Sequence, residues 1–148
     1  MSQVVLTNPN KTLRERSVEL SDREFVSQKI KTLIKALKET MKIENGVGIA
    51  APQVGILKRL IIIETETGPM AFMNPQIVRR SIRKINSKEG CLSVPGIYGI
   101  VRRHKAVTVE AVNEEGQEVT IRAQNFPATV FQHEIDHLDG ILFIDKVI

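Results

Sequence analysis

Pro127-Ala128-Thr129-Val130-Phe131-Gln132-His133-Glu134-Ile135-Asp136-His137-Leu138-Asp139-Gly140 is the stretch from which the fold is read. Proline suits the first turn of a helix, where its missing N–H is no loss, and glycine suits the position just past the end. The stretch therefore predicts a helix from Pro127 through Leu138 that stops at Gly140. Within it His133 and His137 stand four residues apart, one turn up the same face, so both imidazoles reach a single ion. Glu134 leaves the helix at a neighbouring angle and can take a proton from a water held by that ion. The chain has 3 histidines, and two of them at this spacing around a glutamate argue against an incidental surface helix.

Two imidazoles do not complete a catalytic site, which takes three protein ligands and an open position. The metzincin pattern would put a third histidine at position 143, which is Phe143. The remaining histidine, His104, lies in a basic turn and is a poor candidate. Cys91, in Glu89-Gly90-Cys91-Leu92-Ser93 between strand patterns, is the better third ligand. A thiolate beside two imidazoles suits zinc or a ferrous-type ion. Its negative charge makes a bound water less acidic, so a general base such as Glu134 matters more. As the sole cysteine, Cys91 cannot belong to an internal disulfide, which fits a reducing compartment.

Outward from this helix, the chain alternates its patterns. Ser21-Asp22-Arg23-Glu24 is a capping box, and Val26, Ile30, Leu33, Ile34, Leu37 and Met41 recur at helical spacing behind it. They predict one early helix with a buried stripe, closed by Asn45-Gly46. Leu60-Ile61-Ile62-Ile63 reads as a buried strand within 59–64, and a second strand is expected over 76–82. Ala106 to Val112 and Val119 to Arg122, joined by Asn113-Glu114-Glu115-Gly116, read as an antiparallel hairpin. One helix early, strands in the middle and one helix late predict a single α+β domain over 1–148. Its antiparallel or mixed sheets pack around a central metal-binding helix.

The 148 residues, 42% apolar and 26% charged, suit one ordinary folded domain. No apolar stretch is long enough to cross a bilayer, and the first residues do not read as a signal peptide. The net charge of +4 is modest. Its two basic clusters, Arg79-Arg80 with Arg83-Lys84 and Arg102-Arg103-His104-Lys105, could touch RNA or an acidic surface, but no aromatic stacking platform accompanies them. Gly46-Val47-Gly48-Ile49-Ala50-Ala51-Pro52-Gln53 lacks the glycine spacing of a nucleotide loop, so no nucleotide is expected. Its small residues would let a substrate backbone lie close, and the Gln53 amide could donate to a developing oxyanion.

The segments Gly46 to Gln53, Glu89 to Ser93 and His133 to His137 resemble, in order, the three signature motifs of peptide deformylases. The flanks Met73-Asn74-Pro75, Val94-Pro95-Gly96 and Leu138-Asp139-Gly140-Ile141-Leu142-Phe143 resemble the family too. The resemblance implies a metal-dependent hydrolase that removes the formyl group from the N-terminal methionine of nascent polypeptides and releases formate. By the same resemblance Cys91, His133 and His137 hold one divalent ion, Fe²⁺ before Zn²⁺, Ni²⁺ or Co²⁺. Glu134 shuttles the proton, while Gln53 and the Leu92 backbone N–H stabilise the oxyanion. Gly46, Gly48 and Gly90 pair with substrate backbone, and Val47, Phe126, Thr129 and Val130 form the methionine pocket. Asp136 pairs with Arg103 behind the site.

The implied partners are N-formylmethionyl peptides and nascent chains, in the cytoplasm or in an organelle with bacterial-type translation, with no membrane. Many relatives append a C-terminal helix linked to ribosome contact. This chain ends at Ile148 without one, so ribosome proximity would need other means. Asn125-Phe126-Pro127-Ala128 also departs from the glycine of many relatives, so the pocket wall should differ in shape. Two alternatives remain at this level, a zinc endopeptidase built on the same helix and a metal-stabilised binding module. The first lacks room for a late carboxylate ligand, and the second would normally close its site with four protein ligands.

Overall fold

A computed structural model, which describes residues 2–148, starts the early helices where serine side chains can cap them. Ser21 accepts from the Glu24 backbone while the Glu24 carboxylate accepts from the Ser21 N–H, which is the expected capping box. It starts only one turn, α1 (Asp22–Phe25). Ser27, extended at ψ 148°, then accepts from Ile30 N and starts α2 (Gln28–Ile43). The single early helix expected from periodicity is thus two, because a second serine offers a second cap. Val26 falls at the break and is 58% exposed instead of joining the buried stripe. Ile30, Ile34, Leu37 and Met41 do form that stripe, with Leu33 packed at its margin.

The strands are β1 (Gly48–Ala50), β2 (Leu60–Thr65), β3 (Gly68–Arg80), β4 (Lys84–Cys91), β5 (Val94–His104), β6 (Ala106–Val112) and β7 (Glu118–Gln124). Five of them form an antiparallel sheet in the order β1-β2-β3-β6-β7, and β4 with β5 forms a separate two-stranded ribbon. The unbroken apolar run of β2 follows from its place in the sheet. Ile61 and Ile63 pack with α3 (Phe126–Leu138), while Leu60 and Ile62 face α2 on the other side.

The second strand runs over Gly68–Arg80 rather than 76–82, because Gly68 to Met73 zips onto β2 first. Asn74-Pro75 is absorbed as a bulge. The ladder to β6 shifts register between Met73 and Gln76, and the Asn74 side chain, at φ 49°, bonds both N and O of Leu20. The hairpin β6–β7 pairs Ala106 with Gln124 through Val112 with Glu118, on the two segments read from the sequence. The ribbon β4–β5 was not anticipated. Its alternation is masked by charged residues and glycines, and Cys91 sits at its very end, paired with Val94 across the turn Leu92-Ser93.

Helix α3 begins at Phe126, one residue before the expected start, with Pro127 in its first turn and Gly140 at φ 74° just beyond its end. Ala128, Val130, Phe131, Ile135 and Leu138 pack on the sheet. The four larger of these side chains contribute about 1.5–3 kcal/mol each when fully buried. The other face of α3 turns to the ribbon, and there the contacts are ionic. Arg103 on β5, 3% exposed, donates to both oxygens of Glu89 on β4 at 2.8 and 2.9 Å and to Asp136 on α3 at 2.6 Å. Among the described residues no helix is long and apolar enough to cross a membrane.

Replacing Arg103 by Met would leave two buried or half-buried carboxylates without their shared cation. Urea unfolding of Arg103→Met should show a loss of about 3–5 kcal/mol, the usual cost of breaking a buried ion pair from one side. A loss below about 1 kcal/mol, the size of a surface pair, would mean that this trio does not hold the ribbon to the helix.

Candidate metal centre

Helix α3 and the ribbon turn bring the three sequence-selected ligands together. The ligand atoms of Cys91, His133 and His137 lie within 4.8 Å of one another. Cys91 Sγ stands 3.3 Å from His137 Nε2, and the two imidazole centroids are 5.1 Å apart. Metal bonds of about 2.0–2.3 Å at tetrahedral angles put neighbouring ligand atoms roughly 3.5 Å apart, so the donor set fits one divalent ion. His133 Nδ1 contacts Glu89 Oε1 at 2.9 Å, which orients the ring and leaves Nε2 for a metal. Phe143, the residue that excluded a metzincin, stacks on the His133 ring at 6.0 Å.

The electrostatics of this pocket favour a cation. Burial opposes a charge on His133, yet its hydrogen bonds to Cys91 and Glu89 and the nearby Glu134 raise its pKa to about 10. His137, fully enclosed and facing the charge on His133, is pushed well below the ordinary histidine value. Burial would also raise Glu89, but Arg103 and His133 outweigh it and hold that carboxylate at about 2. A divalent ion replacing the proton on His133 would satisfy the same field, as metal binding by imidazole and thiolate generally releases protons.

Glu134 is positioned as a base and not as a ligand. It is 4% exposed, its Oε1 has no hydrogen-bond partner among the described residues, and its pKa rises to about 7. Burial is the main cause, His133 opposes it, and Glu89 adds to it. A carboxyl group poised near neutrality can both accept and return a proton. Its place depends on Gly48. A Cβ at that position would lie 2.6 Å from Glu134 Oε2 and 2.8 Å from its Cγ, so only glycine lets β1 approach the carboxylate.

Gln53 sits in a short 3₁₀ turn, Ala51–Val54, and is 1% exposed. Its Oε1 accepts from Ala50 N at 2.9 Å, and its Nε2 donates to Ser93 Oγ at 3.0 Å and faces Cys91 Sγ at 3.7 Å. The backbone N–H of Ala50 thus dictates which end of the amide faces the cavity. Gly46, Val47, Gly48, Gly90, Leu92, Phe126, Thr129 and Val130 line one cavity of about 500 Å³ together with Gln53, Cys91, His133 and Glu134. His137 lies behind it, 1% exposed. The ring of Tyr98 lies against Gly90, where a Cβ would meet Cε1 at 2.6 Å.

Two contributors escaped the reading of the sequence. Glu89 links Arg103 to His133, and Ser93 holds the Gln53 amide. Their places beside Cys91 were the available signal, since residues flanking a ligand share its turn.

Comparison with known proteins agrees with this geometry. The family model for polypeptide deformylase matches residues 2–148. A peptide deformylase of Acetivibrio thermocellus is 50% identical over 125 residues, covering 84% of this chain and 73% of the relative. One from Desulforudis audaxviator is 43% identical over 143 residues, covering 96% of this chain and 91% of its own. The crystal structure of peptide deformylase from Thermotoga maritima matches with a TM-score of 0.95 at 35% identity, over 100% of this chain and 99% of its own. A Met-Ala-Ser-bound structure of the class I type b peptide deformylase from Acinetobacter baumannii matches at 0.94 and 36%, over 99% of each chain. None of these relatives supports an endopeptidase or a binding module. With two imidazoles and a thiolate gathered beside a base, and with sequence and fold agreeing along nearly the whole length, the chain belongs to the polypeptide deformylase family, metal-dependent enzymes that remove the N-formyl group from an N-terminal methionine.

Proposed function

We propose that residues 1–148 form one catalytic domain that hydrolyses the N-formyl amide of peptides beginning with methionine, with the site residues in the roles below. The observation that carries this reading is the convergence of Cys91, His133 and His137, with Glu134 and Gln53 beside them at one cavity. Held by the three ligands, a divalent ion would polarise the formyl oxygen and make an attacking water more acidic. Glu134 takes a proton from that water and returns it to the leaving amine. The C–N bond breaks, and formate and a free amino terminus leave. Gln53 Nε2 and the Leu92 N–H donate to the tetrahedral oxyanion, a contact worth most in the transition state. Gly46, Gly48 and Gly90 pair with substrate backbone. Val47, Phe126, Thr129 and Val130 take the methionine side chain, a role supported by the Met-Ala-Ser bound to the Acinetobacter baumannii relative. Bacterial relatives support action on nascent chains in a compartment with bacterial-type translation.

Formate release from formyl-Met-Ala, without cleavage of internal peptide bonds, is the expected activity. Glu134→Ala should retain its metal and lose at least about a hundredfold in rate. Near-normal turnover in this variant would remove Glu134 from its role, and loss of the metal would make it a ligand.

Gln53 and Ser93 should behave as one unit. Removing one oxyanion donor costs about 100- to 1,000-fold in kcat, so Gln53→Ala should lower kcat far more than it changes KM. Ser93→Ala should lower kcat by roughly tenfold in the native background, the worth of one hydrogen bond. It should have no further effect in Gln53→Ala. Additive losses would separate the two residues, and a pure KM effect would assign Gln53 to ground-state binding.

Ferrous iron is the proposed native ion. A thiolate beside an open ferrous position exposes both iron and sulfur to oxygen. Protein prepared anaerobically should contain Fe²⁺ and lose activity in air, whereas nickel-loaded protein should survive the same exposure. Zinc in the anaerobic preparation would overturn the iron assignment and leave the hydrolase reading standing.

A further inference from the structure

A second cavity, of about 420 Å³, lies away from the metal centre at the far end of β3, β6 and β7, and Arg79, Arg80 and Arg122 line it. Arg79 pairs with Thr108 and Thr108 with Arg122, so these side chains form one row on one face of the sheet. Strands about 4.8 Å apart set the two arginine backbones roughly 10 Å apart. The turn Ser81-Ile82-Arg83 and the β5–β6 junction bring Arg83, Lys84 and Lys105 to the same corner, where Lys105 N bonds Arg83 O and His104 Nδ1 contacts Ser81 O at 2.8 Å.

Among the described residues, none of these six cations makes an ion pair with a carboxylate. The nearby acid on that sheet face is Glu110, in the next row with Gln76 and Thr120. Residues 79–88 and 100–109 contain no Asp or Glu at all. The six cations exceed the molecule's whole net charge of +4, so the positive potential is concentrated at this corner.

We infer that this corner docks the phosphate backbone of RNA. Guanidinium forks match phosphate oxygens bidentately, and Arg79 and Arg122, in one row, can grip adjacent phosphates, while Arg80, opposite Val107, adds its charge from the other face of the same sheet edge. No Phe, Tyr or Trp lies in segments 79–84, 104–108 and 122–124, and the half-buried His104 ring is engaged with Ser81 O, so no broad platform for stacking bases is present. Recognition is then of backbone and shape, not of sequence. An acidic protein partner would need an apolar centre to its interface, and a membrane would need a buried apolar face. The large apolar side chain that the corner exposes is Ile82, at the tip of the turn, whereas Val107 and Ala123 line the cavity as buried residues.

Docking here leaves the catalytic mouth open. Strand β4 runs from Lys84 at the corner to Cys91 at the metal centre, about 23 Å at about 3.3 Å per residue. RNA also surrounds every nascent chain, so such contact would raise the local concentration of substrate. Binding is read without turnover, so this inference stands or falls apart from the catalytic assignment.

The test is fluorescence anisotropy of a labelled RNA duplex of about 16 base pairs, titrated with metal-loaded enzyme. Between about 50 and 200 mM salt, log affinity should fall against log salt with a slope of roughly −3 to −5. Arg79→Gln/Arg80→Gln/Arg122→Gln should weaken binding at least about tenfold and shrink the slope by two to three, roughly one per lost phosphate contact. Its rate of formate release from a short formyl peptide should be unchanged. Lys29→Gln/Lys31→Gln/Lys35→Gln, an equal charge change on the exposed face of α2, should leave RNA binding near the native value. Equal weakening by both triple variants, binding to anionic phospholipid vesicles or polyglutamate as tight as to RNA, or no RNA binding at the lower salt would each overturn the inference.

Discussion

A single buried carboxylate holds the two halves of this site in register. Glu89 projects from the ribbon, takes two hydrogen bonds from Arg103 on the neighbouring strand, and contacts His133 Nδ1 on the central helix. Such a group is costly to bury unless every oxygen is engaged, and here both are. The consequence is geometric. The ribbon turn that carries Cys91 cannot move relative to α3 without leaving a charge unpaired, so the thiolate and the imidazoles stay within reach of one ion. Arg103 extends the tie to Asp136, which precedes His137 on the same helix, and Lys146 adds a second cation there at 3.1 Å.

Within that frame the reacting groups are placed by close approach. Gly48 lets an edge strand press against Glu134, and this contact helps to enclose the carboxylate whose pKa burial lifts to about 7. The Gln53 amide is fixed at both ends, by Ala50 N on its oxygen and Ser93 Oγ on its nitrogen. A donor already aimed at its target needs no reorganisation when charge develops, which is the reason that preorganised dipoles outperform water. The base and the oxyanion donor therefore owe their usefulness to neighbours that take no part in bond breaking.

Charge is divided between two ends of the molecule. At the metal centre, anionic groups outnumber the buried cation that pairs with them, and the pocket favours a divalent ion. At the opposite end of β4 the cations stand without carboxylate partners among the described residues. The ribbon thus separates a cation-seeking interior from an anion-seeking surface, and neither field needs to compromise the other across about two Debye lengths.

Much of this was legible in local sequence. The i, i+4 histidines, the adjacent glutamate and the proline and glycine at the ends of α3 determined the helix and its chemistry. The lone cysteine completed the donor set, and the β6–β7 hairpin and the buried run of β2 followed from short-range pattern. Tertiary structure alone decided the rest. The ribbon shows little apolar period, because only Val94 and Val101 of its strands enter the core, beside Leu13, Leu142 and Phe143, and the rest is held by strand pairing and the ion trio. The early helix divided in two because a local cap at Ser27 won over the apolar period. Glu89 meets Arg103 across 14 residues and His133 across 44, and Ser93 meets Gln53 across 40. No propensity encodes such meetings. They exist only once the chain has folded and enclosed distant polar groups together, where an unpaired group is costly and a partner stabilises.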